Sequence, residues 1–201
     1  TRLKQEKNRT ASLKIEDVVF EVLIEKKVNG QVENEETYTI FSRVLKEAIT
    51  EDEIQKDVYT TIAVPCEEAD ISSPLYTYFP ILNTETPFNC IMNATYVLSG
   101  NRDSINRSET NKRIVLLQLE HLKSIAEYYI QQKNYEKALS VLTPKNITSN
   151  NWYNWKFTQG FSSFLVEENF ISLIKDLKLL TTVNGEGISL NEHPLMIDGE
   201  F

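Results

Sequence analysis

One arginine stands out by its position. In the run Leu98-Ser99-Gly100-Asn101-Arg102-Asp103-Ser104-Ile105 an apolar strand ends at Leu98, and a short polar loop presents Arg102 before a long helical pattern begins. A guanidinium carries five fixed donors and a permanent charge, so such a loop can hold it out toward an anion beyond its own domain. The same spacing also allows a local role, in which Arg102 pairs with Asp103 or caps the carbonyls of the strand it follows. Other chemistry-bearing residues are sparse. His121 falls inside the helical pattern beside Leu122, where a structural or surface histidine is the ordinary reading. His193 precedes Pro194 with no second nitrogen or sulfur ligand nearby, so no metal site is expected there. Cys66 and Cys90 lie 90 − 66 = 24 residues apart and read as two buried free thiols of a reducing compartment, not as a disulfide framework. The acidic residues between Glu51 and Asp70 lack the ordered spacing of a calcium loop and read as a solvated face. Gly185-Glu186-Gly187 is too short to cradle a phosphate and suits a hairpin turn. Phosphate-loop, zinc-helix, C-x-x-C and nucleophile-elbow signatures are all missing. A free-standing hydrolase therefore has no nucleophile and base to support it.

Composition narrows the function classes further. The chain has 201 residues, 41% hydrophobic and 25% charged, and its 21 Lys+Arg against 29 Asp+Glu give a net charge of −8. Such a length can bury a substantial core, and 10% aromatics supports ordered packing. No apolar run approaches the roughly 18 residues of a membrane span. A dedicated nucleic-acid surface is disfavoured, because phosphate contacts need a basic face. The start at Thr1-Arg2-Leu3, without Met, and the abrupt end at Asp198-Gly199-Glu200-Phe201 suggest an excerpt of a longer protein. No charged-then-apolar leader opens the chain, and the Asn-x-Ser/Thr matches at Asn8, Asn93, Asn106 and Asn146 are of the kind that arise by chance in an Asn- and Thr-rich sequence. A cytoplasmic location is favoured.

The elements that must position Arg102 fall into a strand-rich first half and a helix-rich second half. Residues 1–14, with five basic residues (Arg2, Lys4, Lys7, Arg9, Lys14), read as a linker or a fraying first strand. Leu13 to Val28 is β-branched and aromatic, and Asn29-Gly30 is the dipeptide that best tolerates a tight hairpin turn, with Val32 to Val44 pairing back. Thr50-Glu51-Asp52-Glu53 resembles a capping box and predicts a helix start. Further strands are expected over Asp57–Val64, Leu75–Phe79 and Phe88–Leu98. Helical spacing of Ile114, Leu117, Leu122, Ile125 and Tyr129 predicts a long amphipathic helix over 110–132, followed by a second over 134–142. That pair shows no repeat of about 34 residues and so reads as an ordinary helical hairpin. An aromatic segment over 151–164 (Trp152, Trp155, Phe157, Phe161, Phe164) reads as a helix packed in the core, with contact to a client or neighbouring domain as the other reading. A helix over 166–177 and a terminal hairpin through Asn184-Gly185 complete the order. This is an α+β pattern, with an antiparallel or mixed sheet from the first half packed against helices from the second. Residues 1–110 form the strand-rich part and 111–201 the helical part, in one domain or two closely packed subdomains.

Ordered short motifs around the arginine loop resemble a known family. Leu98-Ser99-Gly100-Asn101-Arg102-Asp103-Ser104-Ile105 has the spacing of the strand-loop-arginine-helix segment in the middle domain of the heat-shock-ninety-like chaperones. Ile62-Ala63-Val64-Pro65, Leu75-Tyr76-Thr77-Tyr78-Phe79-Pro80, Thr84-Glu85-Thr86-Pro87-Phe88 and Asn93-Ala94-Thr95-Tyr96-Val97-Leu98 follow in the order of the sacsin-like proteins. Leu177 to Leu190 is similar to a stretch of bacterial members. Over residues 60–129 the chain thus resembles the region after the nucleotide-binding domain of GHKL-type ATPases. Gly100, in place of a branched residue, and Asn93-Ala94, in place of Asn-Gly, depart from the pattern. The resemblance implies a transducer-like middle domain whose preceding domain, in the same chain, binds ATP and Mg. It further implies that Arg102 reaches the γ-phosphate across the interdomain cleft as a catalytic group, with Asn101 assisting by hydrogen bonding, and that nucleotide state passes to downstream domains or a client protein. Alone, these residues are not expected to be an active enzyme. The alternative is a non-catalytic protein-interaction scaffold in which Arg102 is structural.

Overall fold

The computed structural model describes residues 4–8, 15–28, 31–51, 54–67, 74–86, 88–106, 108–143, 172–182 and 184–192. The fold is α+β, as the strand-then-helix order predicts. Nine strands are described: β1 (Lys4–Asn8), β2 (Ile15–Val28), β3 (Gln31–Glu51), β4 (Ile54–Pro65), β5 (Pro74–Tyr76), β6 (Pro80–Glu85), β7 (Ile91–Ala94), β8 (Leu180–Thr181) and β9 (Gly187–Ile188). The two described α-helices with complete bounds are α1 (Glu109–Gln131) and α2 (Tyr135–Leu142). The main sheet has the order β1-β2-β3-β4-β7-β5-β6, and β8-β9 form a separate two-stranded ribbon.

Every neighbouring pair in the main sheet is antiparallel except β5 and β7, which run parallel. The β2–β3 hairpin closes at Val28↔Gln31, as expected of strands joined through Asn29-Gly30, a dipeptide that itself lies outside the described residues. The helix start expected at Thr50 does not form. β3 continues to Glu51 and β4 begins at Ile54, with Ile49↔Lys56, Thr50↔Gln55 and Glu51↔Ile54 paired. Ile49 is buried in the core, so strand pairing and burial outweigh a capping box that offers only local hydrogen bonds. The strand expected over 75–79 stops at Tyr76, and 77–79 form a turn into β6, a strand the sequence did not announce. The strand expected over 88–98 is ladder-paired only across Ile91–Ala94. Expected helices over 151–164 and most of 166–177 lie outside the described residues.

α1 forms where the 3.6-residue spacing placed it, with Ser108 as cap accepting from the Asn111 N–H at 3.2 Å. Its buried face (Ile114, Leu117, Leu122, Ile125, Ala126, Tyr129) crosses the sheet, and one hydrophobic core joins it to Phe41, Val58, Ile62, Phe88 and Met92. Polar groups cross the same seam. Gln118 Nε2 donates to the Asn93 carbonyl at 3.1 Å, and the Tyr96 hydroxyl donates to Gln118 Oε1. Thr60 Oγ1 and His121 Nδ1 share a hydrogen bond of 3.4 Å. Farther along, Arg43 holds Asp17 through two bonds of 2.7 and 2.9 Å and donates to Ser124 Oγ at 3.2 Å. Phe41 packs edge-on against Tyr128. These contacts fix the helix diagonally, from the C-terminal end of β7 toward β3. Lys133, at φ 59°, ends α1, and Asn134 caps α2 by accepting from the Lys137 N–H.

Candidate functional site

The arginine loop sits at the end of β7. After Ala94 the chain buries Tyr96 and forms an isolated antiparallel bridge between Leu98 and Ile105, so residues 99–104 make a narrow closed loop. Backbone bonds lock it: Ser99 N–H to Ser104 O at 2.9 Å, Arg102 N–H to Ser99 O at 2.9 Å and Asn106 N–H to Val97 O at 2.9 Å. Side chains add a second layer. Asp103 Oδ1 accepts from Ser99 Oγ at 3.0 Å and Ser104 Oγ at 3.2 Å. Beneath the loop, the fully buried Asn111 amide accepts from the Val97 N–H at 2.9 Å and donates to the Val97 and Asn106 carbonyls at 2.7 and 2.6 Å. The first turn of α1 is thereby clamped to both legs of the loop.

Arg102 occupies the tip. Its φ of 59° is in the left-handed region, unusual for a side chain without a short polar group and costly by about 1–2 kcal/mol. The side chain is exposed, and among the described residues no ion pair or side-chain hydrogen bond engages it. The local pairing with Asp103 that spacing left open therefore does not form, because Asp103 turns inward to the two serines. Nor does the guanidinium cap a strand carbonyl. Asn101 is exposed beside it. Gly100 has no positive φ, and a Cβ there would meet no atom within 4 Å, so neither conformation nor space requires glycine at that position.

The chain matches no family model, no curated protein and no solved structure. What the site can do rests on its own geometry.

A second chemistry-bearing cluster lies apart from the loop. Asp17, Arg43, His121, Ser124 and Tyr128 line a cavity of about 140 Å³ between β2, β3 and α1. Asp17, His121 and Ser124 are the residue types of a hydrolytic triad, but their bonds run elsewhere. Ser124 Oγ donates to the Glu120 carbonyl and accepts from Arg43, while Asp17 is held by Arg43. No base faces the hydroxyl, so the cluster pins the helix to the sheet. Burial, then the neighbouring Arg43 charge, lowers the His121 pKa well below 6.5, and the ring is neutral at pH 7. It is the structural histidine its helical position suggested. Burial also pushes up the Tyr96 hydroxyl, and it raises those of Tyr38 and Tyr129 to about 12. These phenols remain protonated donors.

Neither described cysteine forms a disulfide; Cys90 is buried as expected, whereas Cys66 is exposed just past the end of β4. Among the described residues no group of three or more His, Cys, Asp or Glu could hold a metal ion, and no helix is long and apolar enough to cross a membrane. His193 lies outside the described residues. Sequence reasoning missed Tyr78 and Phe79, which it placed in a strand. They project from the 77–79 turn instead. The signal was present in the pair Pro74 and Pro80, which leaves too few residues between them for a full strand and a turn.

Proposed function

We propose that this chain is the transducer-like middle segment of a GHKL-type ATP-binding protein of the sacsin-like and heat-shock-ninety-like branch. Its role is to supply Arg102 to the γ-phosphate of ATP held with Mg by a preceding domain, and to pass nucleotide state to downstream domains or a client. The observation that carries this reading is the contrast between a rigidly wired loop and the one unengaged, fully charged side chain at its tip. A cation that must act on a distant anion needs a stiff mount and no local partner. An arginine so placed stabilises charge as it grows on the transferring phosphoryl group and orients it, without taking or giving a proton. Asn101, exposed beside it, adds a neutral donor. The chain alone binds ATP weakly or not at all, since the phosphate cradle and metal ligands belong to the other domain. The cytoplasm, with its reducing conditions for Cys66 and Cys90 and its ATP, is the compartment this reading requires.

A second reading, a non-catalytic interaction scaffold, is favoured by one observation: Tyr78 and Phe79 are held out in solvent. Turnover separates the two. In the intact protein, Arg102→Ala lowers ATP turnover about 100-fold or more while nucleotide affinity stays the same; unchanged turnover leaves the scaffold.

A further inference from the structure

The register of the sheet gives the cavity beneath α1 two unlike ends. Asp17, Arg43 and Thr60 form one cross-strand row, and Val19, Phe41 and Ile62 form the next row on the same face. α1 repeats the pattern. His121 and Ser124 bond to the polar row, and Tyr128, one turn beyond Ser124, packs edge-on against Phe41 beside Ile125. The cavity of about 140 Å³ is thus polar at one end and apolar at the other, and it is large enough for one benzene-sized ring. Asp17, Ser124 and Tyr128 are only partly buried, so it opens along that rim.

The polar end has capacity that the fold does not use. Three of the five Arg43 N–H groups are engaged, two on Asp17 and one on Ser124 Oγ, and the rest have no partner among the described residues. His121 is 3% exposed, with Nδ1 held by Thr60. Its Nε2 has no hydrogen bond among the described residues and is not a sealed atom, so this edge of the ring faces the cavity it lines. Buried donors and acceptors of this kind are costly unless a guest meets them. Water can meet them, but it gains nothing from Val19, Phe41 and Ile125 at the other end.

Charge and shape narrow the guest. Asp17 and Arg43 cancel as an ion pair, and His121 is neutral at pH 7. A charged guest of either sign would be desolvated beside a like charge, so a neutral one fits. The rings of Phe41 and Tyr128 favour an aromatic body. A hydroxyl on that body accepts from Arg43, and it can donate to His121 Nε2 or accept from it, whichever ring nitrogen carries the proton.

We propose that this cavity binds a neutral, single-ring hydroxyaromatic molecule, a phenol. Its ring lies against Val19, Phe41 and Ile125, and its hydroxyl sits between Arg43 and His121. The site is separate from the Arg102 loop and does not depend on the function proposed above. A bound ring bridges β2 and β3 to α1, so occupancy raises the thermal unfolding midpoint.

Phenol itself is the probe, titrated calorimetrically into the intact protein beside benzene and benzoate. It is expected to bind with a Kd of about 1 mM or tighter, and at least about tenfold tighter than either comparison molecule. Benzene lacks the hydroxyl and benzoate brings a charge. Val19→Phe fills the apolar end and abolishes binding. In protein with isotope-labelled histidine, the ring signal that His121→Gln removes shifts on adding phenol. Should Val19→Phe fail to fold, the ranking of the three molecules and the His121 signal still decide. No saturable phenol binding, benzene binding as tightly as phenol, or benzoate binding more tightly overturns the proposal. So does phenol binding that leaves the His121 signal in place.

Discussion

Arg102 sits at φ 59°, where a glycine would be at ease, and its side chain gains no local bond in return. Backbone strain of this kind survives where the side chain is needed at that point in space. Arg102→Gly relieves it, and the variant is expected to be as stable as the wild type or more stable by up to about 1 kcal/mol in urea unfolding. The same variant loses turnover in the intact protein. His121 carries a different prediction. Its folded pKa is lowered, so below the unfolded pKa of 6.5 the unfolded chain takes up a proton that the folded chain refuses. Stability is full above that pH and falls as pH drops through it, by at most about 1.4 kcal/mol per pH unit. His121→Gln keeps a polar partner for Thr60 and removes this slope. Unfolding midpoints at about pH 7.5 and about pH 5.5 should therefore differ more in the wild type than in the variant.

The loop and helix stand or fall together through Asn111. One amide satisfies the Val97 N–H and two carbonyls, all beneath the loop. Asn111→Ala removes the side-chain partner of the Val97 N–H and the Asn106 carbonyl, while the Val97 carbonyl keeps the Asn106 N–H. The loss costs about 1–3 kcal/mol and frees the loop. Faster amide exchange across 99–105 measures the second effect. α1 was legible because apolar residues recur at 3.6-residue spacing from Ile114 to Tyr129, and the β2–β3 hairpin because Asn29-Gly30 separates two β-branched runs. Pairing partners were not legible. That β3 reaches Glu51, that β6 exists, and that β5 lies parallel to β7 are decided by contacts between distant residues. The strongest local signal near residue 50, a capping box, pointed the other way. Arg102 was legible as a candidate from the strand-loop-helix order. Its lack of a local partner was not, since only the fold shows Asp103 turned toward Ser99 and Ser104.

The two ends of the main sheet carry different features. At one end, α2 is tied to the close of β4 by Lys137 Nζ, which donates to the Pro65 and Cys66 carbonyls. At the other lie the Arg102 loop and the aromatic turn. A single core, drawing on strands from the first half and on α1 and α2 from the second, holds both ends. In a chain of net charge −8, the exposed guanidinium of Arg102 is complementary to an anion. On the proposed function, this guanidinium acts on a phosphate held by another domain. Steady-state ATP turnover of the intact protein, wild type against Arg102→Ala and with nucleotide affinity measured alongside, tests it most directly. A fall of about 100-fold or more at unchanged affinity is predicted. Equal turnover in the two proteins would contradict it.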